Sequence, residues 1–306
     1  MKIQQLKYII ALDEHRHFVR AAEYCKVSQS TLSSMIQKLE EELDVQIFDR
    51  NAHPIKPTLL GETLIAQARD VVSRINYIKE SVISEKTNDL GNINMGIIPT
   101  IAPYILPDFI KKISNTNIKI NISETKTETI IEELKKGEID FALLATPLDE
   151  EDILEIPIYY ERFVAYISPN DPLFINKNIE SSEIPTNNLW LLQEGHCFRS
   201  QILNICNNKD QKNTIYEAGS INTLINIVDT NGGFTVIPEL HINLLSDSQK
   251  NYIRDIINPE PVREISIIIR NDFVREKILN VIINIIKEII PEHMLNERLK
   301  KFAVKL

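Results

Sequence analysis

Hydrophobic residues recur at helical spacing through the first part of the chain. Residues 3–12 carry one apolar stripe, and a second stripe is formed by Leu32, Ile36 and Leu39 at intervals of four and three. Such intervals are typical of amphipathic helices. The pattern therefore predicts a helix near the start and, in residues 17–50, two short helices separated by a tight break.

The break between the two short helices has turn and capping signals. Val27 lies in the predicted turn, and the hydroxyl of Ser28 can cap the helix that follows. The first turn of that helix (Ser28, Gln29, Ser30 and Thr31) is polar and uncharged, and such side chains suit base edges. This is the pattern of a helix-turn-helix whose second helix enters the major groove by its N-terminal end. An ordinary helical hairpin is the alternative.

A long helix is predicted over residues 58–88. Its apolar positions fall at spacings of four and three, which is the heptad seam of a coiled coil and predicts a dimer. The predicted seam residues are Leu64, Ala68, Val71, Ile75, Ile78 and Val82. A single amphipathic helix would show a similar stripe. Residues 84–92 are polar, contain a glycine and are predicted to be a hinge.

From residue 92 onward, short β-rich runs alternate with helical stretches. This alternation predicts an α/β domain with largely parallel sheets. The predicted strands are residues 93–98, 118–123, 141–146, 163–168, 189–193, 234–238 and 265–270, and the predicted helices are residues 101–113, 129–137, 221–229 and 276–290.

Charge is distributed unevenly along the 306 residues. Residues 1–90 carry 12 basic and 13 acidic side chains, whereas residues 91–306 carry 22 and 30, for a total net charge of −9. This balance argues against a chain that coats nucleic acid without specificity. Neither a secretory signal nor a membrane-spanning run is expected, and three cysteines do not form a disulfide scaffold, so the expected location is cytoplasmic.

Two of the three cysteines, Cys197 and Cys206, lie nine positions apart in polar surroundings. The chain has no C-x-x-C and no second cysteine–histidine pair, so neither a metal site nor a cofactor is predicted. One alternative is a pair of inert buried thiols. His196 and Arg199, however, could favour the thiolate of Cys197, and thiolate character makes a cysteine reactive toward oxidants.

Helix geometry constrains how these two thiols could react. In one continuous helix, nine residues correspond to a rise of roughly 13.5 Å and a rotation of about 900°, which places Cys197 and Cys206 on opposite faces. A disulfide requires Cα atoms roughly 4.4–6.8 Å apart. The segment between them would therefore have to unwind before a disulfide formed, as a redox switch requires.

The N-terminal pattern resembles the DNA-binding domain of LysR-type transcriptional regulators. The matching residues are Phe18, Ala21, Ala22, Val27, Ser28, Gln29, Thr31, Leu32, Ser33, Ile36, Leu39, Glu40, Leu43, Phe48, Arg50, Thr58 and Gly61. The resemblance implies that Ser28, Gln29, Ser30, Thr31 and Ser33 face DNA. It also implies that Arg50 reaches a groove or the backbone from the wing. Ser30 departs from the proline usual in the family, which can alter base preference.

The segment that contains the two cysteines resembles the redox segment of peroxide-sensing members of the same family. The matching residues are Gly195, His196, Cys197, Arg199, Gln201 and Cys206. The resemblance implies that Cys197 reacts with peroxide and that Cys206 resolves the product into a disulfide. It further implies a peroxide pocket lined by Thr100, Thr127, His196 and Arg199. Ser200 stands where an aspartate is common, and losing that carboxylate should favour the thiolate. Cys25 is predicted to be a packing residue.

Together these observations predict a cytoplasmic, peroxide-responsive DNA-binding regulator, and not an enzyme. The resemblance implies activation of antioxidant genes by a homotetramer that binds double-stranded DNA and RNA polymerase. It also implies that thioredoxin or glutaredoxin reduces the disulfide. One alternative is a LysR-type regulator that responds to a small-molecule effector. Another is a thiol peroxidase that uses Cys197. The thiol peroxidase would have no use for residues 1–90.

The predicted fold is α/β with an all-α winged helix-turn-helix domain at the N-terminus. We assign residues 1–58 to that domain, residues 59–90 to the linker helix and hinge, and residues 91–306 to a regulatory domain. The family resemblance implies that the regulatory domain resembles a periplasmic binding protein with two subdomains. These are residues 92–163 with 266–306, and residues 164–265.

Overall fold

The computed structural model describes residues 1–87, 91–148, 150–185, 187–193, 197–205 and 218–296. Backbone packing divides the chain into two compact units. The first is Met1–Gly91, with which Lys135–Glu138 are grouped, and the second comprises Asn92–Leu134 and Ile139–Leu306. In the described part of the chain, no helix combines the length and the apolar composition that a membrane crossing needs.

The N-terminal unit contains the predicted helix-turn-helix, a short hairpin and a long helix. Its elements are α1 (Ile3–His15), α2 (Phe18–Tyr24), α3 (Gln29–Leu43), β1 (Phe48–Asp49), β2 (Lys56–Pro57) and α4 (Leu59–Thr87). The two predicted stripes form the core, since Leu12, Leu32, Ile36 and Leu39 are fully buried. The small side chain of Ala21 is also fully buried, which allows the helices of this core to pack closely.

The hairpin forms the wing and is joined closely to the start of α4. Strands β1 and β2 pair antiparallel, with Phe48 opposite Pro57. The hydroxyl of Thr58 donates to the Gln46 carbonyl at 2.7 Å and accepts from the Gly61 amide at 3.0 Å. A Cβ atom at Gly61 would lie 2.0 Å from the Ile47 carbonyl oxygen. Only glycine therefore fits this approach of α4 to the wing.

Helix α4 packs its first turns against its own chain, and the predicted dimerisation seam stays a prediction. Ala68 is buried in the core of the N-terminal unit, and Leu64 packs against that core. Ala68 is therefore covered by its own chain, whereas Leu64 keeps part of its side chain exposed. Val71 and Ile78 are exposed, Ile78 by 63%, so any seam would begin near Val71. The side chain of Val82 lies outside the described residues.

The regulatory unit alternates strands and helices as predicted. Its elements are β3 (Gly91–Ile97), α5 (Ala102–Ile113), β4 (Ile118–Glu124), α6 (Thr127–Lys136), β5 (Phe141–Thr146), β6 (Ile153–Ile167), β7 (Asn178–Glu180), α7 (Cys197–Ile205), α8 (Ile221–Asn231), β8 (Phe234–Pro238), α9 (Asp247–Lys250), β9 (Ile253–Ile257), β10 (Val262–Arg270) and α10 (Glu276–Ile289). Short 3-10 turns occupy Pro172–Ile175, Ser181–Glu183, Glu239–Leu244 and Glu292–Leu295.

The strands run in the order β4-β3-β5-β10-β6-β9-β7, with β8 also pairing with β6. Strand β3 is parallel to β5, and β7 is parallel to β9. Strand β10 is antiparallel to both β5 and β6, and β6 is antiparallel to β8 and β9. The expectation of largely parallel sheets was therefore wrong. The long strands β6 and β10 run against their neighbours because they carry the chain between the two halves of the unit.

Strand β6 changes partners along its length. Its residues up to Arg162 pair with β10, whereas those from Phe163 onward pair with β8 and with β9. The predicted subdomain boundary after residue 163 falls at this change. On the return path, β10 begins at Val262, four residues before the predicted boundary at 266. The subdomain division itself stays a prediction.

One predicted strand is absent and several real strands were not predicted. Residues 189–193 contribute only isolated bridges, between Leu189 and Phe234 and between Leu192 and Ala218, so no strand forms there. Strand β7, at the edge of the sheet, and strand β9, between β6 and β7, are short and lack a long apolar run. Strand β6 begins ten residues before the predicted start at residue 163, in a part of the chain where polar and apolar residues mix.

Candidate sensing site and DNA-binding face

The N-terminal end of α3 presents a polar, exposed surface. Ser28 caps the helix, and its hydroxyl accepts from the Thr31 amide at 3.1 Å. The same hydroxyl lies 3.0 Å from the Ser30 hydroxyl and 2.8 Å from that of Thr31. Gln29, Ser30 and Thr31 are exposed, and Ser33 is half-buried. The cap therefore fixes the first turn with these side chains directed to solvent, as an approach to base edges requires.

Arg50 is anchored at the base of the wing. Its Nη2 donates to Glu40 Oε2 at 2.8 Å, and its guanidinium carbon lies 5.9 Å from the centroid of the Phe18 ring. The other oxygen of Glu40 accepts from the amides of Ile47 and Phe48 at 2.9 and 3.2 Å. Glu40 thus ties α3 to the wing, while the Arg50 side chain stays 41% exposed. A contact between Arg50 and DNA remains a prediction.

In the regulatory unit, Thr100 is held by a buried ion pair. Arg263 Nη1 donates to the Thr100 hydroxyl at 3.1 Å, and Nη2 donates to the Thr100 carbonyl at 2.9 Å. Arg263 also donates to Glu161 Oε2 from Nε at 2.9 Å and from Nη2 at 2.7 Å. The other oxygen of Glu161 accepts from the Leu240 amide at 2.9 Å. Both charged side chains are fully buried.

Each partner of the pair offsets part of the cost of burying the other. Burial raises the pKa of Glu161, and the attraction of Arg263 opposes that rise. Burial alone would lower the pKa of Arg263, but the Glu161 carboxylate raises it. Since the Thr100 hydroxyl accepts from a permanent cation, its own proton is left to be donated elsewhere.

Thr127 follows the end of the neighbouring strand β4 as Thr100 follows the end of β3. It is the first residue of α6, three positions after β4 ends, as Thr100 comes three positions after β3 ends. The Thr125 amide donates to the Ile97 carbonyl at 3.1 Å, which joins these two strand ends. Within the described part of the chain, the buried Thr127 hydroxyl has no hydrogen-bond partner. Two buried threonines therefore follow adjacent strand ends, and their role in a peroxide pocket stays a prediction.

The redox segment is described only in part. Helix α7 begins at Cys197, whose side chain lies outside the described residues, as do all of His196 and Cys206. Arg199 Nη1 donates to the Leu192 carbonyl at 2.9 Å. Gln201 is fully buried, and neither polar atom of its amide has a partner among the described residues. Gln201 lies four positions after Cys197 in the chain.

Several residues of this neighbourhood were missed by the sequence analysis. Glu161 and Arg263 are charged residues in strands that are mostly buried, and a charged residue in a buried strand is the signal that could have revealed them. Tyr159 is fully buried beside them, with no partner for its hydroxyl in the described part of the structure. Tyr104 and His241 were missed as well, because no feature of the sequence distinguished them. The Tyr104 hydroxyl lies 2.7 Å from His241 Nδ1.

Cys25 belongs to the N-terminal unit. Cys25 is half-buried against the core of the N-terminal unit, in agreement with a packing role. Burial, with the nearby Glu14 carboxylate, raises its thiol pKa. No group of three or more metal-binding side chains occurs in the part of the chain that the structure describes.

A winged helix-turn-helix joined by a long helix to an α/β regulatory unit defines a bacterial DNA-binding transcriptional regulator. Residues 3–62 match the bacterial regulatory helix-turn-helix protein, lysR family, and residues 87–290 match the LysR substrate binding domain. The chain therefore belongs to the LysR family of transcriptional regulators.

Individual relatives are similar to this chain over most of its length. The chain is 33% identical to the hydrogen peroxide-inducible genes activator of Haemophilus influenzae, over 88% of this chain and 91% of the relative. It is 32% identical to the DNA-binding transcriptional dual regulator OxyR of Escherichia coli, over 88% and 90%. The structure of a full-length OxyR variant from Pseudomonas aeruginosa superposes with a TM-score of 0.77 at 31% identity, covering 94% of this chain and 98% of that one.

Proposed function

We propose that this regulator senses hydrogen peroxide through Cys197 and converts the oxidation into a change in DNA binding. The observation that carries the proposal is the pair of buried threonine hydroxyls, Thr100 and Thr127, at adjacent strand ends of a chain similar to peroxide-responsive activators. One is oriented by a buried arginine and the other is unpartnered among the described residues, so both are free to bind a small polar molecule.

The chemistry follows from the groups available. The Cys197 thiolate attacks one oxygen of the peroxide, which gives a sulfenic acid and releases water. The Cys206 thiol then displaces the hydroxyl of the sulfenic acid, which forms a disulfide and releases a second water. Hydroxyl and imidazole donors, from Thr100, Thr127 and His196, would steady the departing oxygen. Arg199 would favour the thiolate by its charge.

The switch follows from the helix that begins at Cys197. Because α7 continues to Ile205, Cys206 comes directly after the last helical residue, nine positions from its partner. A disulfide between them would require α7 to unwind. The free energy of the disulfide would thereby favour a second conformation of the regulatory unit. The linker helix α4 would carry this change to the recognition helices.

The partners we propose follow the same mechanism. Double-stranded DNA at promoter sites would be read by Gln29, Ser30, Thr31 and Ser33, with Arg50 at the wing. A homotetramer would bind an extended site and act on RNA polymerase. Thioredoxin or glutaredoxin would restore the reduced form. The chain would react once per oxidation, without turnover, and so would not be an enzyme.

Peroxide titration followed by disulfide mapping tests the proposal. Purified protein is treated with one equivalent of hydrogen peroxide, alkylated under denaturing conditions and analysed by mass spectrometry. We expect a rapid Cys197–Cys206 disulfide that is absent in Cys197→Ser. Cys25→Ser is the matched control, since its raised thiol pKa predicts no contribution, and it should behave as the wild type.

The same experiment separates the alternatives. If Cys197 and Cys206 both stayed free, the peroxide proposal would be wrong, and a small-molecule effector of this LysR-type regulator would be sought. Repeated consumption of peroxide in the presence of a recycling reductant would indicate a thiol peroxidase instead.

A further inference from the structure

The hydroxyl of Tyr159 is a fully buried polar group without a partner among the residues that the structure describes. Burying a hydroxyl without a hydrogen bond is unfavourable, because the group loses its bonds to water and gains none in return. Such groups are uncommon, and each calls for a bound molecule or a functional reason. Tyr159 therefore marks a place where a small polar molecule can be held.

The position of Tyr159 ties it to the threonine that Arg263 orients. On β6, Tyr159 and Glu161 are two residues apart and so project from the same face of the strand. Across the sheet, Glu161 pairs with Arg263 and Tyr159 pairs with Ile265. The register between β6 and β10 shifts directly after this pair, between Ile265 and Ser266. Irregularities of this kind occur next to active sites, where they redirect side chains.

The cluster contains two hydroxyl protons that have no acceptor among the described residues. The Thr100 hydroxyl accepts from Arg263, which leaves its proton free. Burial, reinforced by the Glu161 carboxylate, raises the pKa of Tyr159, so its hydroxyl keeps its proton at neutral pH. Both groups are therefore hydrogen-bond donors beside a buried guanidinium. This arrangement stabilises a bound oxygen atom on which negative charge develops.

We propose that Tyr159 is a further peroxide-binding residue of this sensor, whose hydroxyl donates a hydrogen bond to the departing peroxide oxygen. The inference rests on the proposed function. When the Cys197 thiolate attacks, a sulfur–oxygen bond forms and the oxygen–oxygen bond breaks. The far oxygen leaves with the electron pair as hydroxide and takes up the proton that the thiol lost, giving water. Sulfur is oxidised to the sulfenic acid and peroxide is reduced. Tyr159 stabilises the charge on the departing oxygen.

The test compares two reactions of Cys197 in Tyr159→Phe. Phenylalanine keeps the ring, and removing an unpartnered hydroxyl should not destabilise the fold. The rate constant for oxidation by hydrogen peroxide should fall about tenfold to a hundredfold, the equivalent of one hydrogen bond to a charged group. Alkylation of Cys197 by iodoacetamide should change less than about twofold, because halide departure needs no donor at this position. Tyr252→Phe, in the distant aromatic cluster with Tyr166 and Phe174, is the matched control.

The outcomes distinguish the inference from the function on which it rests. A selective loss of peroxide reactivity in Tyr159→Phe would support the proposal. An unchanged rate of oxidation by peroxide in Tyr159→Phe would overturn the proposal. The Tyr159 hydroxyl would then serve to bind a structural water. An equal loss in both reactions would also overturn it, since Tyr159 would then act through the thiolate or the fold. If wild-type Cys197 did not react with peroxide at all, the proposed function itself would fail.

Discussion

The buried Glu161–Arg263 pair makes a quantitative prediction about stability. Glu161→Gln keeps the shape of the side chain but leaves the guanidinium of Arg263 buried without a counter-charge. Breaking one partner of a buried pair costs about 3–5 kcal/mol, a large share of the about 5–15 kcal/mol that stabilises a typical domain. With a urea m-value of about 2 kcal/mol/M, the unfolding midpoint of the regulatory unit should fall by about 1.5–2.5 M.

The assay can be restricted to the regulatory unit because the chain has a single tryptophan. Trp190 is partly buried against the core of that unit, and its Nε1 donates to the Gly232 carbonyl at 2.9 Å. Its fluorescence in urea should therefore follow the transition that Glu161→Gln weakens. Oxidation rates measured below that transition should also fall, since Thr100 would lose its rigid support.

An exposed ion pair supplies the control. Lys112 Nζ lies 2.7 Å from Glu288 Oε2, with 41% and 63% of the two side chains exposed, so Lys112→Ala should cost less than about 1 kcal/mol. Replacing both members of the buried pair, as in Glu161→Leu with Arg263→Met, should recover much of the lost stability. A midpoint shift for Glu161→Gln no larger than that for Lys112→Ala would refute the reasoning.

Three other predictions concern the DNA-binding face and pH. Ser28→Ala removes the acceptor for the Thr31 amide and should cost the N-terminal unit about 1 kcal/mol in thermal unfolding, whereas the exposed Ser34→Ala should change it by less than about 0.5 kcal/mol. Arg50→Ala should weaken binding to all DNA sequences alike and reduce the slope of log affinity against log salt by about one, as measured by fluorescence anisotropy; an unchanged slope would exclude a phosphate contact. Burial lowers the pKa of His241 from 6.5 to about 4. Between these values the unfolded chain binds a proton that the folded chain does not, so stability should fall as pH drops from about 6.5 toward 4. His241→Gln should flatten this part of a urea-midpoint profile, and an equally steep profile would assign the loss to other groups.

Elements whose cause is local could be predicted from the amino-acid pattern. The stripes of Leu32, Ile36 and Leu39, the Ser28 cap and the turn around Val27 act within a few residues of one another, and the helix-turn-helix formed where they predicted it. The helical runs of the regulatory unit were also located correctly, because helix periodicity is a short-range property. The nine-residue spacing from Cys197 to Cys206 likewise requires no tertiary information.

Contacts between residues far apart in the chain could not be predicted in this way. Glu161 and Arg263 are 102 residues apart in the chain, and their pairing follows from the antiparallel register of β6 and β10. The direction of those strands depends on how the chain crosses between the two halves of the unit, which no local pattern records. Ala68 illustrates the same limit, because an apolar position at heptad spacing can pack equally well on a second chain or on its own α1. Periodicity determines which face of an element is apolar, but the surface that covers that face is selected by long-range packing.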